Sequence, residues 1–377
     1  MQRIEVASLN SLIQSLARHG FTVIGPRVKD AAIVLDNLSS AEELPVGWLD
    51  EQEAGTYTVR KNGTASVFEY VVGPHSWKRF LYPPRLRLFR AEKEGKGFEV
   101  RTNGSELPRY AFFGVRPCEL HAIGIQDRIF TEGQYTDQHY AAVRERACIV
   151  AVNCTHPGGT CFCRSMRTGP RAHQGFDLVL TEVRDEGDHY FIVERGTPLG
   201  DQIMADVPHR AAERSESDRA LEALSRAEAF MGRTLETEGL QKAFADNFEH
   251  THWDDIAKRC LACANCTLVC PTCFCSTVED ETDLTGRQAE RWRRWDSCFT
   301  VDFTRVAGGN MRMSTRTRYR QWITHKLTNW IEQFGTSGCV GCGRCITWCP
   351  AGIDLTVEAE TFRQLGAEQT TAEHRER

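Results

Sequence analysis

Apolar residues in the opening stretch MQRIEVASLNSLIQSLARHG recur at three- and four-residue steps, which predicts an amphipathic helix over residues 1–20 that stops at Gly20. Runs rich in β-branched and aromatic residues then predict short strands at 21–25, 32–35, 56–60 and 66–72. Residues 86–91 and 97–102 flank the turn-rich Lys93-Glu94-Gly95-Lys96, a hairpin signal. Residues 177–183 and 190–194 do the same around Asp185-Glu186-Gly187-Asp188. The apolar runs 110–115 and 148–152 have strand length, and helical patterns occupy 119–130 and 138–146. Such alternation describes a mixed α/β unit ending near residue 200.

From about residue 209 the pattern changes. Residues 210–231 are charged and Ala-rich with apolar positions at helical spacing, and 239–247 continue as helix. The long stretch 271–338 reads as mostly helical, with 287–295 and 316–334 its clearest helices. Residues 367–377 are polar and read as a flexible tail.

The chain has 377 residues, enough for two or three domains, and its 41% hydrophobic and 26% charged content is that of an ordinary globular protein. A net charge of −5 gives no support for nucleic acid as a partner. No run approaches 18 apolar residues, so direct membrane insertion is not expected, and the first residues lack the apolar core of a secretory signal. Sixteen cysteines without an export signal point to metal ligation in a reducing compartment, hence a cytoplasmic location.

Eight of those cysteines carry the strongest chemistry. Cys260-x-x-Cys263-x-x-Cys266-x-x-x-Cys270-Pro271 is repeated as Cys339-x-x-Cys342-x-x-Cys345-x-x-x-Cys349-Pro350. Each run has the ligand spacing of a bacterial-type [4Fe–4S] cluster, in which the fourth cysteine ligates the other cube. The expected ligand sets are therefore Cys260, Cys263, Cys266 and Cys349 for one cluster, and Cys339, Cys342, Cys345 and Cys270 for the second. Zinc sites need four ligands, not eight in two matched runs, and a disulfide framework would not repeat this spacing.

Four more thiols converge in the α/β unit. Cys118 sits just past the carboxyl end of the 110–115 strand, and Cys154 just past that of the 148–152 strand, where α/β sheets gather ligands. Cys154 leads through the Pro157-Gly158-Gly159 turn to Cys161 and Cys163. These four are the expected ligands of a third [4Fe–4S] cluster. The alternative is a group of buried free thiols, and His156 is a further candidate ligand. Cys148 lies at the far end of its strand and reads as a core residue. Cys273 and Cys275 read as groups that shield or tune the neighbouring cluster, with a ligand role as the lesser option. Cys298 reads as a structural thiol.

No G-x-G-x-x-G or G-x-x-x-x-G-K-[ST] supports a nucleotide site, and no catalytic constellation stands out. Residues 312–326 are basic, with Tyr319, Trp322 and Trp330 interleaved. They form either a docking surface, a source of positive charge near the clusters, or a solvated helix face with its aromatic side chains turned inward.

Taken together, these motifs resemble the iron–sulfur β subunit of group 3b [NiFe] hydrogenases (sulfhydrogenases), and are similar to the iron–sulfur A component of anaerobic sulfite reductase. The resemblance is carried by Gly114-Val115-Arg116-Pro117-Cys118-Glu119-Leu120, by Asn153-Cys154-Thr155-His156-Pro157-Gly158-Gly159-Thr160-Cys161-Phe162-Cys163 and by Arg305-Val306-Ala307-Gly308-Gly309-Asn310. His325-Lys326-Leu327 and Phe334-Gly335-Thr336-Ser337-Gly338-Cys339 add to it. It covers the chain from about residue 70, and the 153–163 loop is its most specific marker.

What the resemblance implies is a non-catalytic electron-transfer subunit of an oxidoreductase complex. Its partners would be a flavin-containing NAD(P)H-handling subunit and the small and large subunits of a [NiFe] hydrogenase. The alternatives are the equivalent subunit of a sulfite or sulfur reductase, beside a sirohaem subunit, and a redox-sensing cluster protein. The expected fold is α+β: a mixed α/β domain at 1–205 holding the third cluster, an α-helical ferredoxin-type dicluster domain at 206–366, and the tail 367–377.

Overall fold

The computed structural model describes residues 1–95, 97–102, 107–185 and 187–375. Lys96 and Glu186, in the two expected hairpin turns, and residues 376–377 of the expected tail lie outside the described residues. The fold is α+β. Fourteen strands position the sites: β1 Gln2–Glu5, β2 Thr22–Lys29, β3 Ala32–Asn37, β4 Trp48–Glu53, β5 Thr56–Lys61, β6 Arg85–Glu94, β7 Gly97–Thr102, β8 Tyr110–Val115, β9 Cys148–Val152, β10 Leu178–Asp185, β11 Asp188–Arg195, β12 Arg210–Ala211, β13 Ser276–Thr282 and β14 Gln288–Trp295.

Eight of them form the main sheet, in the order β12-β1-β11-β10-β9-β8-β2-β3. The neighbours β2, β8, β9 and β10 run parallel, and antiparallel strands flank them on both sides. The parallel centre explains the unbroken apolar text of β8 and β9: strands covered on both faces need no polar alternation. The helices Pro117–Thr131 and Gln138–Glu145 make the crossover between β8 and β9. Because β8 and β9 are parallel neighbours, their carboxyl ends open on the same edge, which brings the Cys118 and Cys154 segments side by side.

Several expectations differ from the structure. The 1–20 helix is shorter: residues 2–5 are strand β1, inserted between β11 and β12, and the helix is Ser8–Arg18. Ile4 is buried in the sheet while Arg3 bonds Glu216 (2.6 Å) and Asp188 (3.1 Å), so the helical spacing at the start was fortuitous.

Residues 66–72 form no strand. Their backbone is satisfied by side chains instead. Glu182 accepts from Val67 N (2.7 Å) and Phe68 N (2.8 Å), and Asp50 from Val71 N (2.6 Å). Arg116 donates to the carbonyls of Phe68 (2.9 Å) and Tyr70 (2.6 Å).

The third difference is the largest. Residues 287–295 are not helix but β14, paired with β13 on one side and with β6 on the other, in a second sheet ordered β13-β14-β6-β7. Cross-strand ion pairs stabilise it: Arg291–Asp280 (2.7 Å), Arg294–Glu279 (3.0 Å), Arg85–Glu281 (2.9 Å) and Arg87–Glu290 (2.8 Å). This sheet straddles the boundary drawn at 205/206, since β6 and β7 come from one side of it and β13 and β14 from the other.

The expected 316–334 helix is present as Thr315–Thr324, a π-helical turn His325–Asn329, and Trp330–Phe334. The final helix, Leu355–Arg375, runs through most of the stretch read as a tail.

Glu182 is buried and its carboxylate also bonds His189 (2.8 Å). Replacing it with alanine leaves two buried amides unpaired, at a cost of about 1–3 kcal/mol each. Glu182→Ala is expected to lower the melting temperature by several degrees in a thermal unfolding scan, while Glu42→Ala, at an exposed position, leaves it unchanged.

Candidate metal centres

The two cysteine runs fold into the same loop twice. Ala262 and Ala264 have φ of +51° and +67°, and the matching Gly341 and Gly343 have +67° and +72°. In each loop an amide two residues on points back at the first thiol: Ala262 N to Cys260 Sγ and Gly341 N to Cys339 Sγ, both 3.4 Å. The left-handed turns curl the loop so that its thiols face inward. Alanine tolerates this backbone at some cost in the first loop. In the second it could not be accommodated. A Cβ on Gly341 would lie 2.6 Å from Phe162 O, and one on Gly343 2.4 Å from Thr160 O. The glycines are there because the 158–163 loop lies directly on top of them.

The first site is a partly open apolar pocket walled by Cys260, Cys263, Cys266 and Cys349 together with Cys345, Phe299, Tyr319 and Trp322. Cys263 is exposed. Burial pushes the Cys266 thiol well up, and Cys260, Cys349 and Cys263 oppose its ionisation further. The second site gathers Cys339, Cys342, Cys345 and Cys270. Burial holds Cys339 up at about 12, with Lys326 opposing, and Cys345 is pushed well up by burial and then by Cys339, Cys342 and Cys270. The two sites adjoin, since Cys345 and Cys266 act on each other electrostatically.

The third group is also brought together. Burial raises Cys118, Cys154, Cys161 and Cys163, the last to about 12. Cys163 acts on both Cys118 and Cys161, Cys154 acts on Cys161 and Cys163, and Cys342 of the second site acts on Cys118, Cys161 and Cys163. The loop docks on the second site through backbone and hydroxyl groups. Phe162 N donates to Gly341 O (2.8 Å), Thr168 Oγ1 to Val340 O (2.6 Å), and the Thr160 and Thr347 hydroxyls meet at 2.6 Å. Beside them Arg344 and Glu119 form a buried pair at 2.8 Å, joining the residue before Cys345 to the residue after Cys118. The His156 carbonyl accepts from the Cys154 thiol at 3.2 Å, and His156 lines a polar cleft with Glu182, Arg184 and Arg219.

The remaining cysteines divide. Cys148, the first residue of β9, is buried in the main core. Cys273 contacts Cys270, and Cys275 contacts Cys298, so Cys298 has a partner that sequence reasoning missed. The β13–β14 hairpin makes that pair: Ser276 is opposite Trp295, so the residues just outside the hairpin meet at its base. Reading 287–295 as helix hid this. Of the basic 312–326 segment, Arg318 and Lys326 are buried, while Arg316 and Arg320 pair with Glu249 at the surface.

Most of these buried thiols resist ionisation, Cys270 being held down by Cys273 and Lys326, so a set of four thiolates needs a cationic group to balance it, as iron–sulfur ligation supplies. Among the described residues, no three His, Cys, Asp or Glu side chains are grouped so as to hold a metal ion.

Residues 259–353 match the family model of the 4Fe-4S dicluster domain. Fold and site thus define an iron–sulfur protein of the dicluster class. Over 291 residues, 76% of this chain and 82% of the relative, the sequence is 34% identical to sulfhydrogenase 2 subunit beta of Pyrococcus furiosus. The chain belongs to the sulfhydrogenase β-subunit family, and is an iron–sulfur electron-transfer subunit of an oxidoreductase. No solved structure matches it. Among the described residues, no helix is long and apolar enough to cross a membrane.

If the strand-end thiols ligate, Cys161→Ser is expected to lower iron per chain whereas Cys148→Ser leaves it unchanged. Equal iron loss in both, measured on anaerobically purified protein, would remove the argument from the sheet edge.

Proposed function

We propose that this chain carries electrons between a flavin-containing, NAD(P)H-handling subunit and the small and large catalytic subunits of a cytoplasmic [NiFe] hydrogenase. It would do so through three [4Fe–4S] clusters. Cys260, Cys263, Cys266 and Cys349 would hold the first, Cys339, Cys342, Cys345 and Cys270 the second, and Cys118, Cys154, Cys161 and Cys163 the third. When bound, such clusters supply one-electron transfer. The observation that carries the reading is the continuity of the thiol groups. Those at the sheet edge abut Cys342, and Cys345 in turn abuts Cys266, which leads to the exposed Cys263.

The protein's own part is to keep these groups close, buried and dry. Phe299, Tyr319 and Trp322 wall the first site with apolar surface, and Phe162 is wholly buried between the second and third. The cluster-binding half is read as a helical ferredoxin-type unit into which the β13–β14 hairpin is inserted.

About 12 iron per chain, with matching acid-labile sulfide, is expected for three clusters, and about 8 would confine the redox groups to the two repeated loops. In the assembled complex, Cys263→Ser and Cys342→Ser should each abolish NAD(P)-linked hydrogen turnover while leaving each partner's own half-reaction with artificial dyes intact. Full linked turnover in either variant would defeat the relay.

A further inference from the structure

Among the described residues, Lys326 is the only cation for which the structure gives a direct hydrogen bond to a thiol with no carboxylate among its partners. It sits in the π-helical turn His325–Asn329 and is buried. The extra residue of a π turn redirects side chains, and such turns recur at functional positions. Its Nζ donates to Cys270 Sγ (3.2 Å), Thr272 Oγ1 (2.9 Å) and Gly338 O (2.9 Å). Those three bonds use all three donors of an ammonium. Of the partners, sulfur alone can carry a negative charge.

The other buried cations near the sites are differently placed. Arg344, close to Cys342, is paired with Glu119 at 2.8 Å, which offsets its charge. Arg318, nearest the first site, bonds the carbonyls of Arg312 and Met313. Arg116, near Cys154, bonds the carbonyls of Phe68 and Tyr70. Lys78 reaches the same Cys270–Cys273 segment from the other half of the chain. It bonds Cys273 O (3.1 Å) and stacks over Trp295 (3.9 Å).

A buried unit charge with no carboxylate beside it is costly unless another anion balances it. Here the balancing anion is the thiolate-ligated group itself. Such a group gains one negative charge for each electron it accepts, so a fixed ammonium at its ligand favours the reduced form.

We propose that Lys326 is a positioning residue that raises the reduction potential of the second site above those of its neighbours. The second site then becomes the place in the chain where an electron rests. The inference depends on the proposed ligand set for that site.

The test is an EPR-monitored reductive titration of the full-length, anaerobically loaded chain, with iron counted in every sample. In Lys326→Met and in Lys326→Gln, iron content is expected to match the native chain. One midpoint is expected to shift to more negative potential while the others hold, and Lys326→Arg is expected to restore it. The glutamine variant is neutral but can still donate to Cys270 Sγ and Gly338 O, so it separates charge from hydrogen bonding. Full iron with unchanged midpoints would overturn the proposal. So would loss of about four iron in both neutral variants, because Lys326 would then only hold the site together. A native chain in which all midpoints coincide would also overturn it, because Lys326 would then set the second site apart from none of its neighbours, whereas native iron well below about 8 per chain would instead defeat the ligand assignment on which the proposal rests.

Discussion

The structure turns on one close approach. The 158–163 loop of the sheet-bearing half lies on the 339–343 loop of the cysteine repeat, backbone against backbone, with no room for a side chain between them. Two glycines make the contact possible, and a buried Arg344–Glu119 pair and a threonine pair border it. Breaking such a buried charge pair on one side strands the other charge, so the contact is held in one geometry rather than a range of them. It sets the spacing between the thiols at the sheet edge and those of the second loop. It also explains why one half of the repeat has alanines where the other has glycines.

Much of this was legible in the residues. The repeated cysteine spacing announced both loops, and the apolar β8 and β9 placed Cys118 and Cys154 at a common edge because parallel neighbours must end on the same side. What failed was period reading where charge dominates. The Gln288–Trp295 strand alternates poorly because its Arg291 and Arg294 pair with Asp280 and Glu279 of β13 and its Glu290 with Arg87 of β6, and an apolar count cannot see cross-strand ion pairs. The turn chemistry at Asp283 and Gly286 was available and was the better guide. Residues 66–72 misled for the opposite reason. Their composition suits a strand, but Glu182, Asp50 and Arg116, distant in sequence, take the backbone bonds that a neighbouring strand would make.

The same long-range pairings limit what spacing can say about the sites. Cys298 looked solitary because its partner is fixed by hairpin register, not by proximity in the chain. The basic 312–326 run was open to three readings, and a helical period could not choose among them residue by residue. Lys326, in the π turn, meets Cys270, while Arg320 of the same run pairs with the exposed Glu249.

The proposed exchange of cysteines between the two loops also bears on biosynthesis. The cavity that contains Cys260, Cys263 and Cys266 is closed by Cys349, translated 89 codons after the first of them. In the proposed ligand set the partner loop takes Cys270 from the earlier run, and the strand that completes the second sheet is made almost 200 codons after β6. With ligands shared in the proposed way, neither loop holds its full set while the chain is still short. Metal loading would then wait until Cys349 has been synthesised, and until that point the cysteines of the first run would have no cluster to shield them.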